Sequence, residues 1–99
     1  MPIFVKTETI KREFIRNKDV KKKYIKKHIL WLKELKKSGV NIKSGFLVNE
    51  IKRPGAGGLL VIEAKNYKDA LEIIKNDPMI KNQIVEWEMN EWIDISPTL

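Results

Sequence analysis

The sequence predicts a small α+β domain, and three observations support this class. Its 99 residues make one ordinary domain and leave no room for a second core. Four stretches are rich in alternating or β-branched apolar residues, as strands are. Two others carry apolar side chains at helical spacing behind a capping residue. Their order along the chain is β-α-β-β-α-β.

The first strand and the first helix occupy the N-terminal part of the chain. Residues 2–10 alternate and contain several β-branched side chains, which predicts a strand. After a charged, irregular segment, Asn17 or Asp19 is suited to cap a helix. That helix is expected to run to about Lys37 and to end at Gly39, since glycine commonly closes helices.

A second strand, a glycine-rich segment and a third strand follow. Residues 40–51 carry spaced apolar side chains and predict the second strand. Pro54–Gly58 contains three glycines behind a proline, without the spacing of a phosphate-binding loop, which predicts a hairpin loop. Residues 59–64 are apolar almost throughout, so we expect a central third strand that is covered on at least one face.

The C-terminal part is predicted to contain the second helix and the last strand. Asn66 is suited to cap a helix that stops before Asp77, because a residue ahead of proline disfavours helical backbone. Residues 79–83 are long enough for one further helical turn, and residues 84–93 alternate as a fourth strand. Residues 96–99 are expected to form a tail.

This order of elements is the split βαβ, or ferredoxin-like, arrangement, in which both helices lie on one face of an antiparallel sheet. The other face then needs a cover, because either Trp87 with Met89 or Trp92 with Ile84 is left facing water. A domain of this size buries only a modest share of its apolar surface. We therefore expect a homodimer that packs through the sheet face.

The net charge of +7 belongs mainly to the first helix and its flanks. Residues 11–43 hold thirteen Lys or Arg against three acids, whereas residues 83–99 hold four acids and no Lys or Arg. On a helical wheel most of the helix lysines lie opposite the apolar side (Lys22, Lys23, Lys26, Lys27, Lys33 and Lys37). The aromatic residues do not interleave with these lysines, which disfavours a nucleic-acid-binding surface. We interpret the lysines as a solvated helix face.

The only histidine of the chain, His28, lies near the middle of the apolar arc of this helix. The other members of the arc are Val20, Tyr24, Ile25, Ile29, Trp31, Leu32 and Leu35. Two interpretations of His28 are open. It is either a buried neutral imidazole satisfied by a backbone carbonyl, or a general acid or base that lines a pocket between helix and sheet.

Three further residues are candidates for a site. Asp77 is either the stop of the second helix or a carboxylate that orients His28. Ser44 and Gly45 either offer a hydroxyl and a backbone N–H to a bound oxyanion, or mark a β-bulge. Trp87 and Trp92 are interpreted as packing or dimer contacts rather than a cofactor clamp.

The composition also excludes several classes of site. There is no cysteine, which rules out disulfides, thiolate metal sites and cysteine nucleophiles. One histidine and scattered acids do not make a metal-ligand set, so neither a metal nor another cofactor is expected. No apolar run approaches the ~20 residues of a membrane span, and the first residues do not form a signal peptide. We expect a cytoplasmic protein that binds no membrane.

Taken together, several short motifs resemble the YCII-related (YciI-like) family along nearly the whole chain. They are His28 with Ile29, Leu32 and Leu35 before Gly39, Ser44-Gly45, Gly57-Gly58 before Leu60-Val61-Ile62, Ala70 with Ile73-Ile74 before Asp77-Pro78, and Val85-Glu86-Trp87. The chain departs from the family at Phe46, where a proline commonly follows the strand glycine.

The resemblance implies a dimeric α+β barrel in which His28 and Asp77 line an active-site cleft. Relatives on this fold include muconolactone isomerase-like and dehydrochlorinating enzymes, which act by acid/base chemistry on small acidic carbonyl compounds. The leading hypothesis is a homodimer whose His28–Asp77 pair moves a proton on a small organic anion, with Ser44 and Gly45 binding the substrate. The alternatives are a non-catalytic ligand-binding or regulatory dimer, and a barrel that uses haem or flavin.

Overall fold

In the computed structural model, which describes residues 1–97, four antiparallel strands form one sheet with helices on one face. The strands are β1 (Ile3–Ile10), β2 (Ile42–Val48), β3 (Pro54–Glu63) and β4 (Val85–Trp92). The helices are α1 (Lys18–Lys37), α2 (Tyr67–Ile74) and the short α3 (Pro78–Lys81). The strand order is β2-β3-β1-β4, which confirms the predicted ferredoxin-like class. Of the predicted tail, residues 98–99 lie outside the described residues.

The helices begin where the sequence provides caps. The Asn17 side chain, rather than that of Asp19, accepts the N–H of Val20 at the start of α1, at 3.1 Å. Asn66 accepts the N–H of Asp69 at the start of α2, at 2.8 Å. In the charged, irregular segment ahead of α1, residues 12–14 form a single 3-10 turn. None of the helices in the described part of the chain is long and apolar enough to span a membrane.

The prediction of a loop at Pro54–Gly58 is wrong, because β3 already begins at Pro54. The β2–β3 hairpin turns instead between Val48 and Pro54, where the side chain of Asn49 accepts two backbone N–H groups at 3.0 Å each. Glycine at the start of β3 instead allows this strand to approach the backbone of β1 closely. A Cβ atom on Gly57, whose φ is +93°, would collide with the carbonyl oxygen of Glu8 on β1.

The main core lies between the sheet and the helices. Its fully buried members include Phe4, Leu60, Ile62, Ala70 and Ile74. Along β1 the even-numbered residues face this core and the odd-numbered residues face away.

The apolar arc of α1 is only partly covered. Trp31, Leu32 and Leu35 pack against the main core, and Val20 and Tyr24 pack against a second cluster around Met79. By contrast, Ile25 and Ile29 are 46% and 45% exposed. They lie on the flank of the arc turned away from α3, where β2 is the edge strand of the sheet.

The outer face of the sheet, opposite the helices, is formed by the odd-numbered residues of β1 and their partners in the neighbouring strands. Its apolar members are Ile3, Val5, Leu59, Val61 and Trp92. Trp92 is exposed at 56%, as one alternative expected. The expectation that Trp87 with Met89, or Ile84, faces water on this side is wrong, because these side chains pack against the cores on the helix side.

Candidate active site

His28 lies on the sheet-facing side of α1 and uses both ring nitrogens. Its Nδ1 is 2.9 Å from Oδ1 of Asp77, and its Nε2 is 2.8 Å from Oγ of Ser44 on β2. The side chain is 14% exposed, so the ring is largely enclosed but reachable from solvent. The ring of Trp31, one turn along α1, lies 5.5 Å from it between centroids. The imidazole is held by two side chains. The interpretation of His28 as a buried core residue predicted a backbone carbonyl in their place.

Asp77 is fully buried and occupies the junction between α2 and α3. It caps α3, since its Oδ1 accepts the N–H of Met79 at 2.9 Å as well as the contact with His28. The helix stop and the carboxylate that meets His28 are therefore one residue. The sequence offered two interpretations of Asp77, the end of a helix or a partner of His28, and the same oxygen, Oδ1, makes both kinds of contact.

The charge of Asp77 is balanced by Lys6, whose Nζ lies 3.1 Å from Oδ2 of Asp77. Lys6 is itself fully buried and forms a second ion pair with Glu8 on the same strand. Sequence reasoning missed both residues. The available signal was a lysine at an inward-facing, even-numbered position of an alternating strand, two residues after the core residue Phe4.

These contacts determine the protonation of Asp77. Burial alone raises the pKa of this carboxyl, because it disfavours the charged form. The hydrogen bond from His28, the positive charge of Lys6 and the N–H of Met79 outweigh burial and hold the pKa of Asp77 below its ordinary value. The carboxyl is therefore ionised at neutral pH.

An ionised Asp77 also selects the tautomer of His28. A carboxylate only accepts hydrogen bonds, so Nδ1 of His28 must carry its proton toward Oδ1. In the neutral imidazole, the lone pair is then on Nε2, which accepts the hydroxyl proton of Ser44. The nitrogen that faces away from the buried aspartate is the basic one.

Gly45, the other predicted substrate-binding residue, does not share the Ser44 face of the sheet. Bonded pairs alternate along an antiparallel ladder, and Glu63 donates its N–H to the carbonyl of Asn41 at 3.0 Å. By the same alternation Gly45 turns its N–H toward β3, whereas Ser44 turns its N–H toward the free edge. The β-sheet irregularity lies between Phe46 and Val48, not at Gly45.

No group of three His, Asp or Glu side chains placed to hold a metal ion occurs among residues 1–97. A separate open groove is lined mainly by outward-facing residues of β1 and β4, such as Thr7 and Glu86, and also by Glu8. His28, Ser44 and Asp77 do not line it.

Comparison with known proteins gives one family and several similar folds. The family model of the YCII-related domain matches residues 4–93. No curated protein matches the chain. A solved structure of 5-chloro-2-hydroxyhydroquinone dehydrochlorinase (TftG) from Burkholderia phenoliruptrix AC1100, in complex with 2,5-dihydroxybenzoquinone, is similar with a TM-score of 0.69 and 17% identity, covering 92% of this chain and 93% of that one. The de novo designed protein Ferredog-Diesel is similar with a TM-score of 0.56 and 16% identity, covering 91% and 84%.

Proposed function

The chain belongs to the YCII-related family, and from that membership and the contacts of His28 we propose that it is an acid/base catalyst acting on a small organic anion. One observation carries this proposal: the buried, ionised Asp77 directs the His28 proton to Nδ1 and leaves the basic Nε2 on the accessible side.

In the proposed mechanism His28 removes a proton from a substrate carbon at Nε2 and returns one to a neighbouring atom or to a leaving group. Asp77 holds the ring in place and stabilises the imidazolium that forms. The hydroxyl of Ser44 occupies Nε2 in the free protein and can rotate to donate to a substrate oxygen. Gly45, whose N–H is turned toward β3, takes no part in this mechanism.

An anionic substrate agrees with the charge of the protein. The net charge is +7, and the exposed lysines of α1 lie on the helix that carries His28. A positive field of this kind raises the rate at which small anions reach the site. TftG was solved with 2,5-dihydroxybenzoquinone, an acidic quinone, and at 17% identity that likeness supports the fold and suggests a probe.

Deuterium exchange at the ring carbon of 2,5-dihydroxybenzoquinone tests the proposal. Adding a proton to that carbon gives a diketone form, and removing one restores the quinone, so repeated transfer in D2O replaces C–H by C–D. We expect the protein to accelerate this exchange, measured by proton NMR. His28→Ala should reduce the acceleration by about 10²–10⁴-fold, the usual contribution of a positioned acid or base.

The matched control is Leu32→Ala, one turn further along the same face of α1, which truncates a core side chain and leaves His28 in place. Exchange that persists in folded His28→Ala protein contradicts the catalytic role. Binding of the quinone by the wild-type protein without exchange favours the alternative, a ligand-binding or regulatory module without chemistry.

We also propose that the chain forms a homodimer through the outer face of its sheet. Ile3, Val5, Leu59, Val61 and Trp92 bring apolar surface to this face, and Trp92 is 56% exposed. A second copy of the same face covers these side chains around a two-fold axis. The proposal matches the dimeric barrel that the family resemblance implies.

Val61→Glu is expected to convert the dimer to a monomer, because the two-fold interface then buries two carboxylates, one from each copy, against apolar surface. Size-exclusion chromatography with light scattering measures the mass. Leu30→Glu, at a 60% exposed position on the solvent side of α1, is the control and should leave the mass unchanged. A wild-type protein of monomer mass at micromolar concentration would rule the dimer out.

A further inference from the structure

Ser44, His28 and Asp77 form a continuous hydrogen-bonded series. Oγ of Ser44 is 2.8 Å from Nε2 of His28, and Nδ1 of His28 is 2.9 Å from Oδ1 of Asp77. A hydroxyl, a base and a carboxylate in this order and at these distances are the parts of a serine nucleophile that is activated by histidine. We propose that Ser44 is a nucleophile and that the site transfers acyl groups from small esters.

The base in this series is set up to accept the hydroxyl proton of Ser44. Its Nδ1 proton points to Asp77, so the lone pair of Nε2 faces Oγ. Asp77 cannot turn away, because Lys6 and the N–H of Met79 hold both of its oxygens. The orientation that nucleophile activation needs is therefore already built before any substrate arrives.

Ser44 is also accessible. It lies on the edge strand β2, and its side chain is exposed while that of Asp77 is buried. By the alternation of the ladder, its own N–H points away from β3 to the free edge of the sheet. A backbone N–H of the nucleophile is a usual donor to the oxyanion that forms during acyl transfer.

The surroundings of Ser44 indicate the kind of ester. Phe46, two residues along β2 on the same face, is 71% exposed. Ile25 and Ile29 are half exposed on the same apolar arc of α1 as His28. These apolar side chains favour an ester with a short alkyl or an aryl group over a strongly charged one.

The step balances with water as the only co-reactant. The Ser44 proton passes to Nε2 of His28 as Oγ attacks the carbonyl carbon, and the bond to the leaving alkoxide breaks as His28 returns the proton to it. A water molecule then attacks the Ser44 ester, gives its proton to His28, and releases the carboxylic acid with the Ser44 hydroxyl restored. With an activated aryl ester the first half is fast, because the phenolate leaves readily, and release of the acid is the slower half.

An alkyl fluorophosphonate and p-nitrophenyl butyrate are the probes. We expect the intact mass of the wild-type protein to rise by one phosphonyl group, with the modified peptide containing Ser44, and a burst of p-nitrophenol that matches the protein concentration. His28→Ala should slow labelling by about 10²-fold or more. Ser38→Ala removes a serine whose hydroxyl donates to the Leu35 carbonyl, and its labelling should equal that of the wild type.

Three outcomes would overturn the proposal: no labelling of folded wild-type protein, equal labelling of Ser44→Ala, or equal labelling of His28→Ala. The inference shares the base His28 with the proposed function, but the two fail separately. Deuterium exchange involves no covalent intermediate, so a protein that exchanges the quinone and resists the fluorophosphonate uses His28 without a nucleophile. A protein that is labelled at Ser44 and catalyses no exchange has the nucleophile and lacks the proposed proton transfer to carbon.

Discussion

Asp77→Asn is expected to lower the free energy of unfolding by about 3–5 kcal/mol at neutral pH, the usual cost of leaving a buried charge without its partner. Three donors converge on this carboxylate: Nδ1 of His28, the N–H of Met79, and Nζ of Lys6. An amide presents one oxygen and one NH2 group. Whichever way it turns, its NH2 faces a donor, and Lys6 loses half of its countercharge.

Urea unfolding followed by circular dichroism measures this effect. Asp69→Asn is the matched control, because Asp69 lies exposed in the first turn of α2, and it should cost less than about 1 kcal/mol. A loss as small as that of the control would mean that Asp77 is not held as an ion by Lys6 and His28.

The pH dependence of the same pair of proteins gives an independent check. The pKa of Asp77 is below its ordinary value of 3.8 in the folded protein. Its contribution to stability is therefore fully present above 3.8 and is lost as the pH falls through the lower folded pKa. The difference between wild type and Asp77→Asn should shrink in acid, and a difference that grows there would contradict the assigned charge.

The topology was predictable because each element carries its own local signal. Asn17 and Asn66 provide caps, and the alternation of β1 and β4 places one face toward the helices. Pro54–Gly58 misled the prediction because glycine and proline usually mark turns. There the glycines instead let β3 pass close to the backbone of Glu8, which is a tertiary constraint that no local pattern contains.

The site was predictable to a lesser degree. The helical wheel predicts that His28 faces the core. Its contact with Asp77, 49 residues away, depends on the position at which α2 ends relative to the sheet, and this position is set by tertiary packing. The roles of Lys6 and Glu8 follow only once Asp77 is known to be buried, because a buried carboxylate requires a partner. Net charge could not point to Lys6, since it is one of 20 Lys and Arg residues in the chain.

Lys6→Met should cost about 3–5 kcal/mol at neutral pH, because the change preserves the length of the side chain and removes the cation between two carboxylates, Asp77 and Glu8. Burial opposes ionisation of Asp77, and the charge of Lys6 is one of the groups that hold its pKa down, so the folded pKa of Asp77 is higher in the variant than in the wild type. The stability that Lys6 confers through this carboxylate is therefore present at neutral pH and absent in acid, where Asp77 is protonated in both proteins.

The variant should therefore lose stability as the pH rises toward neutrality, relative to Lys33→Met, the control for the same substitution at an exposed position on the solvent side of α1. Urea unfolding at several pH values measures this difference. If Lys6→Met and Lys33→Met showed the same stability at every pH, the buried ammonium would contribute nothing to the charge of Asp77. The tautomer of His28 would then depend on Met79 and the ring position alone. If the stability difference between the two variants depends on pH, Lys6 stabilises the charge of Asp77. Through Asp77, this lysine on β1 then also determines that the accessible Nε2 of His28 is the basic nitrogen.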